Sequence, residues 1–241
     1  MQSKSHIQVG GFSVLKTTST ELADHLLAQR QLRNQVVLFF ANTNFVVKCR
    51  TLQSEMARGG VVIVNDGVGM DIAARLVKGE RFKENLNGTD FLPFLFHHSP
   101  APLRVFMLGG DAGVLQQAAH YVTQQLGQEV AGTCDGYEGI KTNTHLVDTI
   151  NQSQADVVLV ALGNPMQEQW ILDHREHLNA KILIGVGALF DFWAGAKPRA
   201  PRAIQNLRLE WFYRLCLEPR RLMRRYTLDI VRFLLYCHRY R

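Results

Sequence analysis

The chain has 241 residues, 46% of them apolar, and 27 Lys and Arg against 21 Asp and Glu give it a net charge of +6. Such a chain can form one α/β domain with an appendage, or two small domains. No apolar run approaches the roughly 20 residues of a membrane-spanning helix, and residues 1–15 lack the apolar core of a secretory signal. The four scattered cysteines indicate reduced thiols. We therefore expect a cytoplasmic protein with at most peripheral membrane attachment.

Between residues 36 and 187, short β-branched runs alternate with helical patterns. Because the runs lack polar alternation, they indicate strands that are covered on both faces. Strand–helix alternation at this spacing favours an α/β fold with a doubly wound, mostly parallel, Rossmann-like sheet. We predict strands at residues 36–41, 61–66, 104–110, 128–132, 155–163 and 181–187, and helices at 51–58, 71–77, 114–126, 145–152 and 167–177.

The last 45 residues differ in charge from the rest of the chain. Residues 197–241 hold twelve Lys and Arg against three acidic residues, a net +9, so residues 1–196 carry about −3. Large apolar side chains separate the basic ones, which predicts two helices, 202–217 and 219–240, divided at Glu218-Pro219. We predict a domain at 1–196 and a helical appendage at 197–241 that contacts an anionic membrane or closes over a ligand. An ordinary helical cap with solvated arginines is the alternative.

Glycines and short polar residues follow the predicted strands. In an open parallel sheet, ligands bind at the carboxyl ends of the strands. Glycine lets backbone N–H groups approach an anion, and helix N-termini add partial positive charge. This pattern predicts a phosphate-bearing ligand at this edge. The candidate residues are Asn42, Asn65, Asp66, Gly67, Gly109, Gly110, Tyr137, Gly163, Asn164, Pro165, Gly187 and Asp191.

Each of these residues also has an ordinary structural interpretation. The sequence LGGDAG at 108–113 is neither G-x-G-x-x-G nor a Walker A loop, so a tight turn explains it equally well. Asp66 is equally a candidate helix cap, and Asn164-Pro165 a candidate turn. The pair His97-His98 is expected in a solvated loop. No D-x-D triplet occurs, so arginines and backbone amides would have to balance a nucleotide-sugar diphosphate.

Five stretches resemble, in order along the chain, the WecG/TagA/CpsF glycosyltransferase family. The resemblance implies an inverting transferase that moves a sugar from a UDP-sugar to a sugar on a polyprenyl diphosphate, without a metal or other cofactor, at the cytoplasmic face of the bacterial inner membrane. The form NLNGTDF is similar to members that transfer hexoses in exopolysaccharide synthesis, such as xanthan-type glucosyltransferases. The five stretches are NDGVGMDIAARL (65–76), NGTD (87–90), LGNPMQEQW (162–170), GVGALFDFWAGAKPRAP (185–201) and LEWFYRLCLEPRRLMRR (209–225).

The resemblance also implies roles for single residues. Asp66 falls on the family's proposed general base, a role that a carboxylate at this edge can perform, and Asn42 matches an asparagine after the first strand. Gln167 and Glu168 match the P-x-Q-E loop and are expected to contact sugar hydroxyls or to order the edge. The remaining family positions are Asn87 and Asp90, from the NGTD stretch, and the candidate phosphate-binding arginines Arg199, Arg202, Arg214, Arg221 and Arg224.

Two positions depart from the family pattern: Asn85 stands where many members have an arginine, and Phe40 where some have a threonine. We therefore expect specificity to differ from the aminosugar branch, although transfer of N-acetylmannosamine or its uronic acid is the alternative within the family. A dinucleotide oxidoreductase would need a G-x-G-x-x-G turn that is missing here. A non-enzymatic lipid- or nucleic-acid-binding module would leave the polar edge without a role; we expect no nucleic-acid partner. The aromatic appendage is compatible with a homo-oligomer.

Overall fold

A computed structural model describes residues 5–207 and 209–239, apart from the side chains of Asn206, Arg221, Arg224, Arg225 and Tyr226. In this part of the chain eight strands form one sheet in the order β1-β2-β4-β3-β8-β7-β5-β6. Neighbouring strands are parallel except for the β1–β2 hairpin. The prediction of a mostly parallel, Rossmann-like α/β fold is confirmed. The strands are β1 His6–Val9, β2 Phe12–Leu15, β3 Val36–Ala41, β4 Val61–Asn65, β5 Arg104–Gly109, β6 Glu129–Cys134, β7 Val157–Ala161 and β8 Ile182–Gly185.

Helices cover both faces of this sheet, and two short 3-10 turns, Arg50–Leu52 and Arg175–His177, complete the pattern. The described helices are α1 Ser19–Gln31, α2 Thr43–Lys48, α3 Gln53–Met56, α4 Val68–Lys78, α5 Gly88–His98, α6 Ala112–Gln124, α7 Glu138–Thr142, α8 Leu146–Gln152, α9 Met166–His174, α10 Leu189–Trp193, α11 Arg202–Asn206, α12 Glu210–Leu217, α13 Pro219–Tyr226 and α14 Leu228–Arg239.

The core divides into two clusters, one on each face of the sheet, and β3 contributes to both. Its side chains are buried along the whole strand. Val37 and Phe39 join the cluster that includes residues of α2, α4, α9 and α14. Leu38 and Phe40 join the cluster that includes residues of α1, α5, α6 and α10. Successive strand side chains point to opposite faces, which explains why an unbroken apolar run forms this strand.

Three elements near the start of the chain were not predicted. The β1–β2 hairpin turns at Gly10 and Gly11, both at positive φ, as a tight two-residue turn requires. Helix α1 begins with a capping box between Thr18 and Glu21.

The prediction that His97 and His98 lie in a loop is wrong, because both residues lie in the last turn of α5.

The appendage differs from the prediction of two helices. The expected helix 202–217 is interrupted between α11 and α12, and the expected helix 219–240 is interrupted at Thr227, between α13 and α14. Helix α14 packs against α2 and buries Phe233 and Cys237 in the core. Within the described part of the chain, no helix has the length and apolarity needed to cross a membrane. The boundary at residue 196 stays a prediction, but the final helix shares its core with the preceding α/β layers.

Candidate active site

The sheet changes winding direction between β5 and β7, where a ligand crevice is expected. The chain leaves β5 towards β6 on one side and leaves β7 towards β8 on the other. Gly110 donates its N–H to the Ala161 carbonyl (3.2 Å), and Gly136 donates to the Gly110 carbonyl (2.9 Å). A Cβ on Gly109, where φ is +113°, would lie 2.5 Å from the Ala161 oxygen. The close approach of these loops therefore accounts for Gly109 of LGGDAG.

The loop after β6 is ordered by a single carboxylate. Asp135 accepts the backbone N–H groups of Tyr137, Glu138 and Gly139 at 3.0, 2.9 and 3.0 Å. These hydrogen bonds stabilise the ionised form and hold the pKa of Asp135 below its usual range. The Tyr137 side chain is 63% exposed. An ordered loop beside the crevice thus presents an accessible aromatic ring.

Asn42 and Asp66 meet at the carboxyl ends of the adjacent strands β3 and β4. Asn42 caps α2, and its Oδ1 accepts the N–H groups of Asn44 and Phe45, both at 3.1 Å. Its Nδ2 therefore points the other way and donates to Asp66 Oδ2 at 3.2 Å. The Asp66 backbone is fixed by an N–H bond of 2.7 Å to the Ala41 carbonyl. Asn42 is thus both a structural cap and the group that orients the half-buried Asp66 carboxylate.

The residues on either side of Asp66 fasten a neighbouring loop. Asn65 is fully buried, donates from Nδ2 to the Glu84 carbonyl (2.9 Å) and accepts the Leu86 N–H on its own carbonyl (3.0 Å). Gly67 donates its N–H to Asn85 Oδ1. The Asn85 side chain therefore lies beside the candidate base.

Gln167 connects the ends of β7 and β8 beneath the edge. Its Oε1 accepts the N–H of Gly163, after β7, at 3.2 Å and the N–H of Gly187, after β8, at 2.9 Å. The Gln167 side chain is buried. These bonds fix the relative position of two glycine-containing loops.

Glu168 is the most enclosed charged group of this edge, with 1% of its surface exposed. Its Oε1 accepts Asn164 Nδ2 (2.6 Å) and Gln167 Nε2 (2.7 Å), and its Oε2 accepts the Cys49 thiol (3.5 Å). Burial raises the pKa of Glu168, although the hydrogen bonds oppose this shift. Burial, together with the Glu168 charge, raises the pKa of Cys49, which therefore stays a protonated donor. Of the two roles expected for Gln167 and Glu168, their bonds support ordering of the edge.

The segment that leads into the appendage is attached to the same edge by two ion pairs. Asn87 caps α5 and donates from Nδ2 to Asp90 Oδ2 at 2.7 Å. Arg199 Nη2 lies 2.6 Å from Asp90 Oδ1, and Lys197 Nζ lies 2.7 Å from Asp191 Oδ2. Among the described atoms, the buried Nε of Arg199 has no hydrogen-bond partner. The rest of the Arg199 side chain is partly exposed beside Asp90.

Besides Arg199, a second appendage arginine, Arg214, has a described contact with the α/β layers at this edge. Arg214 lies with its guanidinium 4.8 Å from the centre of the Phe192 ring and pairs with Glu210 at 2.9 Å. Arg202 is exposed at the start of α11. The side chains of Arg221 and Arg224 lie outside the described ones. Through this contact, α12 touches α10.

A model of the glycosyl transferase WecG/TagA/CpsF family matches residues 7–241. The chain belongs to this family. The matched residues include both the α/β layers and the appendage. A member of this family is a sugar-transferring enzyme with a sugar donor and a saccharide acceptor. Membership favours this class over the oxidoreductase and the non-enzymatic module. In a member of this family, an oriented carboxylate at the strand ends is suited to take a proton from an acceptor hydroxyl.

Three further residues bond to the candidate residues, and no specific role was predicted for them. Asn44 donates to Asn164 Oδ1 at 3.2 Å, Cys49 donates to Glu168, and Asn85 accepts from Gly67. Asn44 belongs to the polar residues that follow the strand predicted at 36–41. Cys49 carried no such signal, because it lies 119 residues from its partner in the sequence.

Proposed function

We propose that the protein is an inverting glycosyltransferase that moves a hexose, with glucose the best candidate, from a UDP-sugar to a polyprenyl-diphosphate-linked saccharide during bacterial cell-surface polysaccharide synthesis. The observation that carries the proposal is the Asn42–Asp66 hydrogen bond at the ends of two adjacent parallel strands, in a chain of this family. The NLNGTDF form and the replacement of the family arginine by Asn85 support the hexose branch.

Asp66 serves as the general base of a single displacement. The acceptor hydroxyl oxygen attacks the anomeric carbon, the bond from that carbon to the UDP oxygen breaks, and UDP leaves with the electron pair. Asp66 takes the hydroxyl proton. The hydrogen bond that Asn42 donates to Oδ2 orients the carboxylate.

The departing UDP needs compensation for its negative charge. At Gly163 and Gly187, after β7 and β8, a Cβ would meet nothing within 4 Å, so a phosphate can approach the backbone of these loops closely. Arg199, whose partly exposed guanidinium lies beside Asp90, and Arg214, which lies against Phe192, are suited to stabilise the diphosphate. Because cationic side chains perform this role, we propose that transfer needs no divalent metal.

The appendage brings the enzyme to the anionic cytoplasmic face of the membrane. Its net positive charge attracts acidic lipids, and its exposed apolar side chains suit the interface between headgroups and acyl chains. A peripheral attachment of this kind would place the edge of the sheet near a lipid-linked acceptor. The exposed apolar residues are Leu207, Leu209, Trp211, Phe212, Leu217, Met223, Leu228, Val231, Leu234 and Leu235.

The test is transfer by the purified full chain from a panel of UDP-sugars to a polyprenyl-diphosphate monosaccharide, with EDTA present. We expect product with UDP-glucose. Product only with UDP-N-acetylmannosamine or its uronic acid would keep the family and refute the hexose assignment. Recovery of activity only when Mg²⁺ replaces EDTA would refute metal independence. No transfer from any donor by folded protein would refute the enzymatic proposal.

The Asp66→Asn variant tests the base within the same assay. Removal of a general base lowers the rate by about 10²–10⁴-fold. The variant should keep the wild-type melting temperature, because Asn fills the same volume and can still accept a hydrogen bond from Asn42. A wild-type transfer rate in Asp66→Asn would exclude this residue as the base.

A further inference from the structure

Glu168 is a buried carboxylate to which the proposed reaction assigns no chemistry. A carboxylate removed from water is costly unless hydrogen bonds compensate it. Its oxygens accept three described donors, from Asn164, Gln167 and Cys49. An ionised carboxylate only accepts hydrogen bonds, so three donors converging on it are the partners that its charged form requires.

Two of these donor residues, Gln167 and Asn164, are in turn hydrogen-bonded to residues that follow three strands. Gln167 holds the N–H groups of Gly163 and Gly187, after β7 and β8. Asn164 accepts from Asn44, which follows β3. Strands β3, β8 and β7 are neighbours in the sheet. One side chain therefore determines how three adjacent loops of the ligand edge sit relative to one another.

The same network holds both ends of α2, the helix that begins at the Asn42 cap. Asn44 lies in its first turn and is bonded to Asn164, while Cys49 immediately follows its last turn and is bonded to Glu168. The Asn42 side chain that caps this helix also donates to Asp66. A shift of α2 would therefore move the donor that orients the candidate base.

We propose that Glu168 is a positioning residue for sugar transfer: its carboxylate fixes the loops at Gly163 and Gly187 that receive the sugar donor and, through α2, the Asn42–Asp66 pair. This inference rests on the proposed function for its kinetic consequences. Its structural part, the attachment of the two glycine loops, is independent of which substrate the enzyme uses.

Two substitutions of similar size separate the hydrogen bonds from packing. Glu168→Gln keeps one acceptor oxygen for Asn164 and Gln167 and turns its amide NH2 towards the Cys49 sulfur, a weak acceptor. Glu168→Met fills the space but accepts none of the three bonds. We expect Glu168→Gln to stay within a few-fold of the wild type. We expect Glu168→Met to lose about 10–100-fold in kcat/KM for the donor, the scale of a small misplacement of reacting groups.

Hydrogen exchange and kinetics together test the proposal on the full chain. In Glu168→Met, the backbone amides of Gly163 and Gly187 should exchange at least tenfold faster, and the donor KM should rise while the melting temperature stays above the assay temperature. Glu168→Gln should restore both. Asp173→Asn, an exposed substitution on the same helix, is the control and should match the wild type.

Wild-type exchange at both glycines in folded Glu168→Met would overturn the proposal. The proposal would also be overturned if the donor KM were unchanged and kcat fell only in proportion to the fraction of Glu168→Met that is folded. If Glu168→Met does not fold, Gln167→Leu releases the same two N–H groups and should give the same exchange; its failure to do so would equally overturn the proposal. Absence of sugar transfer by the wild type would refute the proposed function alone, because the exchange measurement needs no substrate.

Discussion

Replacing Phe233 by alanine should show that the final helix of the basic appendage is part of the folding core. Phe233 is 2% exposed and packs in the cluster that includes residues of α2. Truncating a buried Phe to Ala removes about 3–5 kcal/mol from the free energy of unfolding. For a chain of this size, each kcal/mol lowers the melting temperature by about 2–4 °C. The expected loss is therefore about 6–20 °C.

The matched control lies on the same helix. Leu235 is 63% exposed, so Leu235→Ala should change the free energy of unfolding by no more than about 0.5 kcal/mol. Both variants are compared with the wild type by calorimetry and by urea unfolding, in the absence of lipid. Equal, small shifts for the two variants would refute the reasoning, because they would mean that α14 is a detachable element in solution.

Arg199→Ala should raise the donor KM several-fold while changing stability by no more than about 1 kcal/mol, since the pair with Asp90 is partly exposed; an unchanged donor KM removes Arg199 from the site. Asp135→Ala should lower the melting temperature at neutral pH. Because the pKa of Asp135 is lowered in the folded protein, the difference in melting temperature between the variant and the wild type should shrink as the pH falls through that pKa. A difference that does not change with pH would contradict this role of the Asp135 carboxylate. Gly109→Ala should lower the melting temperature strongly, because its Cβ would lie 2.5 Å from a backbone oxygen. Gly59→Ala is the control, since a Cβ at that position would meet no atom within 4 Å. Equal melting temperatures of the two variants would refute this prediction.

The buried strands and the position of the candidate base were predictable because both depend on local pattern. The run at 36–41 is apolar without alternation and forms the buried strand β3. Asn42 and Asp66 follow their strands directly, and parallel strands end at the same edge. Helix α5 was missed because Pro93 lies inside it, and proline normally interrupts a helical pattern.

The partners of Glu168 depended on tertiary structure. Glu168 follows Gln167 in the sequence, yet the Cys49 that donates to it lies 119 residues away, so no spacing rule connects them. The prediction that Gln167 and Glu168 contact sugar hydroxyls or order the edge left this open. Their burial beneath the loops supports the second role.

The sequence by itself determined the layered α/β architecture, the polar edge and the basic character of the appendage, because apolar periodicity, turn residues and charge are properties of consecutive residues. Only the tertiary structure decided which appendage residues join the core. Phe233 is buried and Leu235 exposed on the same helix, although both are apolar and two positions apart. The surface that a helix buries depends on the neighbour it packs against, here α2, which lies nearly two hundred residues earlier in the chain.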